Sequence, residues 1–138
     1  MNNRVLLAAL AGGVTSFLLG WLIWGILLMD VLREVNPQIE GMEKSPPNLV
    51  LIFVSGLVWA LLYALIYNRW ANISTFKTGL IAGAWISGLF AISLDLMFLA
   101  TTNMVSVNGA LIDVVANIVV GGLAGGVIGW VLGYGNRA

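Results

Sequence analysis

The chain has 138 residues, 60% of them hydrophobic and 9% charged, with six basic and six acidic side chains, no histidine and no cysteine. A mean hydropathy of +1.00 excludes a water-soluble globular domain. The balanced charge offers no basic surface, so no nucleic-acid partner is expected.

Crossing about 30 Å of hydrocarbon takes about 20 helical residues. Four runs meet that length with almost no charge: 5–29, 49–67, 78–100 and 111–133. They predict an all-α, integral-membrane four-helix bundle, with residues 1–138 as one transmembrane domain and 30–48 as an outer loop. The first run follows a short basic stretch, "MNNR", yet it is longer than the apolar core of a secretory signal and continues into "LLMDVLREV" without a small-residue cleavage site. It is expected to remain as a membrane anchor.

The connection after it, "DVLREVNPQIEGMEKSPP", holds all three prolines and four of the six acidic residues. Val31, Leu32 and Val35 extend the first helix until Asn36-Pro37 stops it, Ile39 and Met42 can rest on the bilayer surface, and Pro46-Pro47 suits entry into the second span. A solvated loop is the preferred reading over a lid or docking segment.

Arg4, Arg69, Lys77 and Arg137 fall on one side of the four spans, and Arg33 and Lys44 on the other. Because cytoplasmic loops carry the excess of Lys and Arg, both termini and the "NRWANISTFK" turn are expected in the cytoplasm of a bacterium, with the chain a multi-pass protein of the inner membrane. Tyr63, Tyr67, Trp70, Trp130 and Tyr134 are then expected at the inner interface, where amphipathic rings settle. The glycosylation triplet at Asn72-Ile73-Ser74 carries no meaning in a cytoplasmic turn.

The third and fourth runs each carry small residues at every fourth position: Gly79, Gly83, Ser87, Ala91 and then Asp95 on one, Gly133, Gly129, Gly125, Gly121 and then Asn117 and Asp113 on the other. In lipid, helices gain nothing by hiding apolar surface, and small residues let two backbones pack closely. The first two runs repeat the device with Gly12, Ser16 and Gly20 against Gly56, Ala60 and Ala64, Gly20 pairing with Gly56. The expected bundle is thus two antiparallel transmembrane hairpins with glycine and small-residue packing ridges, a glycine zipper.

Two registers of the second hairpin fit its connection. One pairs Gly83 with Gly125, Ser87 with Gly121 and Asp95 with Asp113. The other, slipped by one turn, pairs Gly83 with Gly129, Ser87 with Gly125 and Asp95 with Asn117. The second is preferred, because Asn117 can donate a hydrogen bond to Asp95, whereas two facing carboxylates must share a proton or hold a cation. If the outer ends splay, Asp95, Asp113 and Asn117 line a shallow outward opening. Gly122 and Gly126 form a second small stripe, for another helix of this chain or another subunit.

Without His or Cys there is no ordinary zinc site, no histidine-ligated haem and no cysteine nucleophile, and no catalytic triad or phosphate loop can be assembled. The chain is expected not to be an enzyme and to need no cofactor. Asp95 is the charged residue in most need of explanation, since an ionisable group within a membrane span is costly. Its position about 8 Å from the outer end of its span favours a structural hydrogen bond over a proton or cation site. Asp113, near the start of its run, is read as a helix cap, and Asp30 as interfacial. Trp21, Trp24, Trp59 and Trp85 lie deeper than an aromatic belt and are read as bulky packing in preference to a pocket for a lipid, quinone or carotenoid.

The stretches "GGVTSFLLGWLIWGILLMD", "GMEKSPP" and "WANISTFKTGLIAG", with the glycine-rich last span, resemble a family of short bacterial four-span integral membrane proteins that has no established activity. The resemblance covers nearly the whole chain; it implies a fold and a location and adds nothing on mechanism. The expected role is that of a non-enzymatic inner-membrane protein acting through helix packing in the lipid bilayer, as a homo-oligomer or as a subunit of a larger membrane complex. The alternative is a small channel or transporter for a proton or cation that uses Asp95.

Overall fold

The computed structural model describes residues 3–35, 48–102 and 106–134, which form helices and short turns with no strand among them. Helix α1 (Asn3–Leu22) runs into a single π-helical turn, Ile23–Leu27, closed by the Leu28 N–H on the Ile23 carbonyl at 2.7 Å. After that bend comes α2 (Met29–Val35). Helix α3 (Leu49–Ile66) starts where the Asn48 side chain accepts the Leu51 N–H at 3.1 Å, and a second π-helical turn, Tyr67–Ala71, carries it onward. Asn72 then turns the chain with φ 53°, a left-handed conformation that asparagine tolerates better than most residues. Thr75 accepts the Thr78 N–H at 3.2 Å and so opens α4 (Phe76–Thr101). Ser106 does the same for α5 (Val107–Tyr134), its hydroxyl accepting the Gly109 N–H at 3.0 Å.

Two boundaries depart from expectation. The third element continues past 67 through Ala71, and the fifth begins at Val107, not 111. Asp113 therefore sits inside α5, beyond its first turn, and does not cap it; Ser106 does. The Asn36-Pro37 stop, the surface placement of Ile39 and Met42, the Pro46-Pro47 entry and Arg137 lie outside the described residues, as does the middle of the α4–α5 connection.

Four helices are long and apolar enough to cross a membrane: Asn3–Leu27, Leu49–Ala71, Phe76–Thr101 and Val107–Tyr134. The surface has the character of a lipid-facing one: Leu7, Val50, Leu51, Trp85 and Leu111 are exposed, while the interior is mostly glycine, alanine, serine and tyrosine. A water-soluble protein inverts this distribution. Helix α5 is central, touching α4 along most of its length and also α1 and α3; α1 packs chiefly on α3.

Contacts between α4 and α5 run in opposite order along the two helices. Gly79 lies against Gly125 and Gly129, Gly83 against Gly121 and Gly125, and Ser87 against Gly121. A methyl group on Gly125 would fall 2.6 Å from the Gly79 carbonyl oxygen and 2.7 Å from the Tyr67 hydroxyl, so only glycine permits this approach. Gly129 and Gly133 abut the carbonyls of Thr75 and Ser74 in the preceding turn. Gly122 faces Ala84 and Gly126 faces the Phe76 ring, so both small stripes of α5 are occupied by α4 of the same chain. These pairs correct the preferred register: the other one is adopted. Slipping α5 by one turn would take Gly126 from under Phe76 and Gly125 from beside Tyr67.

Between α1 and α3, Gly56 lies against Ser16 and Gly13, Gly13 against Leu57, and Phe17 meets Phe53 edge to face at 5.5 Å. Gly12 is used differently, facing Ile128 of α5 as well as Ala60. Gly20 is not paired with Gly56: a side chain there would meet only Trp24 of its own helix. The buried core of Val5, Ala8, Ala60, Tyr63, Ala64, Tyr67, Ile128 and Leu132 joins α1, α3 and α5. It lies toward the end of the bundle that carries the start of α1 and the α3–α4 turn.

Candidate functional site

The polar interior is built around α4. Asp95 and Ser87 are its buried polar residues, on the same face two turns apart. Asp95 is 8% exposed, its side chain is within hydrogen-bonding reach of Asp113 on α5, and its Oδ2 is buried without a hydrogen-bond partner among the described residues. Asn117 does not reach Asp95 as expected. It turns back along α5 and donates through Nδ2 to the Asp113 carbonyl at 2.9 Å and to Asp113 Oδ2 at 3.2 Å. The local partner four residues earlier competes with the cross-helix one and wins.

Opposite Ser87, α3 contributes two tyrosines that sequence reasoning assigned to the interface. Tyr63 and Tyr67 are instead buried, 1% and 0% exposed. Tyr63 and Ser87 form a hydroxyl–hydroxyl hydrogen bond, and Tyr67 donates to the Gly79 carbonyl at 2.8 Å. Their spacing of four residues, one helical turn on a single face, was the available signal; the continuation of α3 through Ala71 carries them inward from the helix end. Trp70, Trp130 and Tyr134 are exposed.

Between these groups lies a cavity of about 40 Å³ whose polar lining is Ser16, Tyr63, Ser87 and Asn117, with Ile128 among its apolar walls. Hydroxyls from three helices and one carboxamide thus converge at the middle of the bundle, and Asn117 joins that cavity to the Asp95–Asp113 pair. The chemistry available is proton sharing, hydrogen bonding and weak cation binding. Among the described residues no group of three or more acids could ligate a metal ion.

The tryptophans do not converge. Trp59 packs edge-on against Phe90 with ring centres 5.0 Å apart and tilts against Tyr63, whereas Trp21 and Trp85 are 60% and 66% exposed. Trp85 lines a broad apolar groove of about 390 Å³ with Leu80, Leu89, Ile92 and Ile118. Comparison of the chain with protein-family models, with curated proteins and with solved structures gave no match.

Proposed function

We propose that this chain is a non-enzymatic bacterial inner-membrane protein of two antiparallel hairpins, held by small-residue ridges and related to the short four-span group it resembles. Its polar site binds a proton or small cation, serving a small transporter or channel. Both termini lie in the cytoplasm in this reading, which places Asp95 and Asp113 toward the outer face. The observation that carries it is the approach of two acidic side chains across α4 and α5, Asp95 buried and Asp113 half-buried, with one Asp95 oxygen unpartnered among the described residues. Two carboxylates in contact away from bulk water must share a proton or hold a cation. Asn117 donates to the Asp113 carboxylate and not to Asp95, so no amide hydrogen bond stands between the two acids.

The test is infrared spectroscopy of the protein in lipid bilayers while first pH and then sodium concentration is varied. Carboxyl bands that respond to one of the two, and whose response disappears in Asp95→Asn, support the reading. Bands in the parent that respond to neither overturn it.

A second reading, association with itself or with a larger membrane partner, is favoured by the exposed Trp85 groove. Mass measurement in mild detergent tests it: an oligomer that Trp85→Ala dissolves supports association, and a parent that is monomeric at all concentrations removes self-association.

A further inference from the structure

The Tyr63–Ser87 pair contains two O–H hydrogens, and their mutual bond uses one. The other is left to find an acceptor beside a cavity whose volume of about 40 Å³ accommodates one or two water molecules. Across that cavity stands Asn117. Its Nδ2 is committed to Asp113, which leaves the carbonyl Oδ1 as its free acceptor. Donor, cavity and acceptor meet the conditions for a bridging water: a polar site, sufficient room and several hydrogen-bonding partners.

The same orientation of Asn117 bears on what the acidic pair can hold. Toward Asp113 the amide presents N–H donors, which stabilise a carboxylate but oppose a metal cation. Sodium, magnesium or calcium needs a shell of oxygens, whereas this site supplies the oxygens of two carboxyl groups and no third acid among the described residues. Among the described residues, the charged groups at this end are those of α2, which touches α5 and carries Asp30, Arg33 and Glu34, all exposed. Within the spanning helices, Arg4, Arg69 and Lys77 are all at the opposite end.

We propose that the Asp95–Asp113 pair holds one shared proton and that Asn117, water in the cavity and the Tyr63–Ser87 hydroxyl pair form a hydrogen-bonded line behind it, the water joining Asn117 to the hydroxyls. The line rests on the reading of the pair as a binding site and names its ligand as the proton. It runs from the α4–α5 end of the bundle to its middle, about 12 Å along α4 from Asp95 to Ser87, and ends where Ile128 and the apolar core begin. The proton moves only between the two carboxyl groups, one O–H bond breaking as the other forms; the Asn117 carboxamide donates N–H to Asp113 and accepts at Oδ1, so it passes no proton on.

Two measurements on the full chain in lipid bilayers test this. Water-edited solid-state NMR should show transfer from water to Ser87 and Asn117 at least tenfold faster than to Ala8 or Ala64 in the core. Equal, slow transfer at all four sites overturns the hydrated line even if the carboxyl pair binds protons. In Ser87→Ala and in Tyr63→Phe, each of which removes one hydroxyl and little volume, transfer from water to Asn117 should slow at least fivefold. Unchanged transfer in both folded variants overturns the hydrogen-bonded line. Carboxyl bands that respond to sodium and not to pH preserve the binding site but overturn its assignment to the proton, and bands that respond to neither remove both.

Discussion

Tyr67, at the start of the π-helical turn after α3, donates its hydroxyl hydrogen to the carbonyl of Gly79 on α4 at 2.8 Å, and the same hydroxyl borders Gly125 on α5. One side chain thus touches the backbone of both partner helices at their closest approach. Tyr67→Phe keeps the ring and removes the bond, and the Gly79 carbonyl retains its helical partner. The expected cost is about 1 kcal/mol, read as a lower melting temperature in detergent. Tyr67→Leu, which also empties the space of the ring, should cost more.

Two glycines on different helices should respond to alanine with opposite signs. At Gly125 the added methyl would run into the Gly79 carbonyl and the Tyr67 hydroxyl, forcing α4 and α5 apart. At Gly20 it would meet only the Trp24 ring at 3.7 Å, an ordinary contact. Alanine is the better helix former by about 0.8–1.0 kcal/mol. Thermal unfolding of both variants should show Gly125→Ala below the parent and Gly20→Ala level with it or above. A gain at Gly125 would mean that α4 and α5 pack less closely than described.

The four spanning helices are legible in the sequence because apolar length is a one-dimensional property that local composition sets. The partners of Asp95 are not, for a reason that particular residues make clear. A ladder of small residues four apart maps onto itself when slipped by four, so Gly83 against Gly125 and Gly83 against Gly129 look alike. What separates them is bulk brought from elsewhere: Tyr67 beside Gly125, Phe76 over Gly126, and the Thr75 carbonyl at Gly129. Asn117 misled for a different reason. Hydrogen-bond satisfaction pointed to Asp95, but an asparagine in a helix also has the carbonyl four residues back, and Asn117 takes it. Tyr63 and Tyr67, read from their position near the end of a span as interfacial rings, are buried against α4, because they share one face of α3 and its π-helical extension.

The register can be checked directly, since the chain has no native cysteine. Asp95→Cys combined with Asp113→Cys places two thiols where the side chains now touch, whereas Asp95→Cys with Asn117→Cys separates them by a further turn of α5. Under mild oxidation the first pair should form an intramolecular disulfide rapidly and the second slowly or not at all, counted by mass after alkylation of the remaining thiols. The reverse ranking would restore the slipped register.

The carboxyl pair works against the stability of the bundle. Asp95→Asn supplies an amide N–H to Asp113, and Asp113→Asn supplies one to Asp95, whose Oδ2 has no partner among the described residues. Either replacement turns an acid–acid contact into a donor–acceptor one and removes the need for a shared proton. Each should therefore leave the melting temperature unchanged or raise it, although each abolishes the site. Asp95→Leu offers Asp113 no donor in return and should lower stability by about 1 kcal/mol, a modest figure because Asp113 is only half-buried. The double replacement by Asn should add little to either single one, because both relieve the same contact and neighbouring sites do not sum. If Asp95→Asn and Asp113→Asn are both strongly destabilising, the two carboxyls are held by partners other than each other, and the pair loses its standing as the centre of the site.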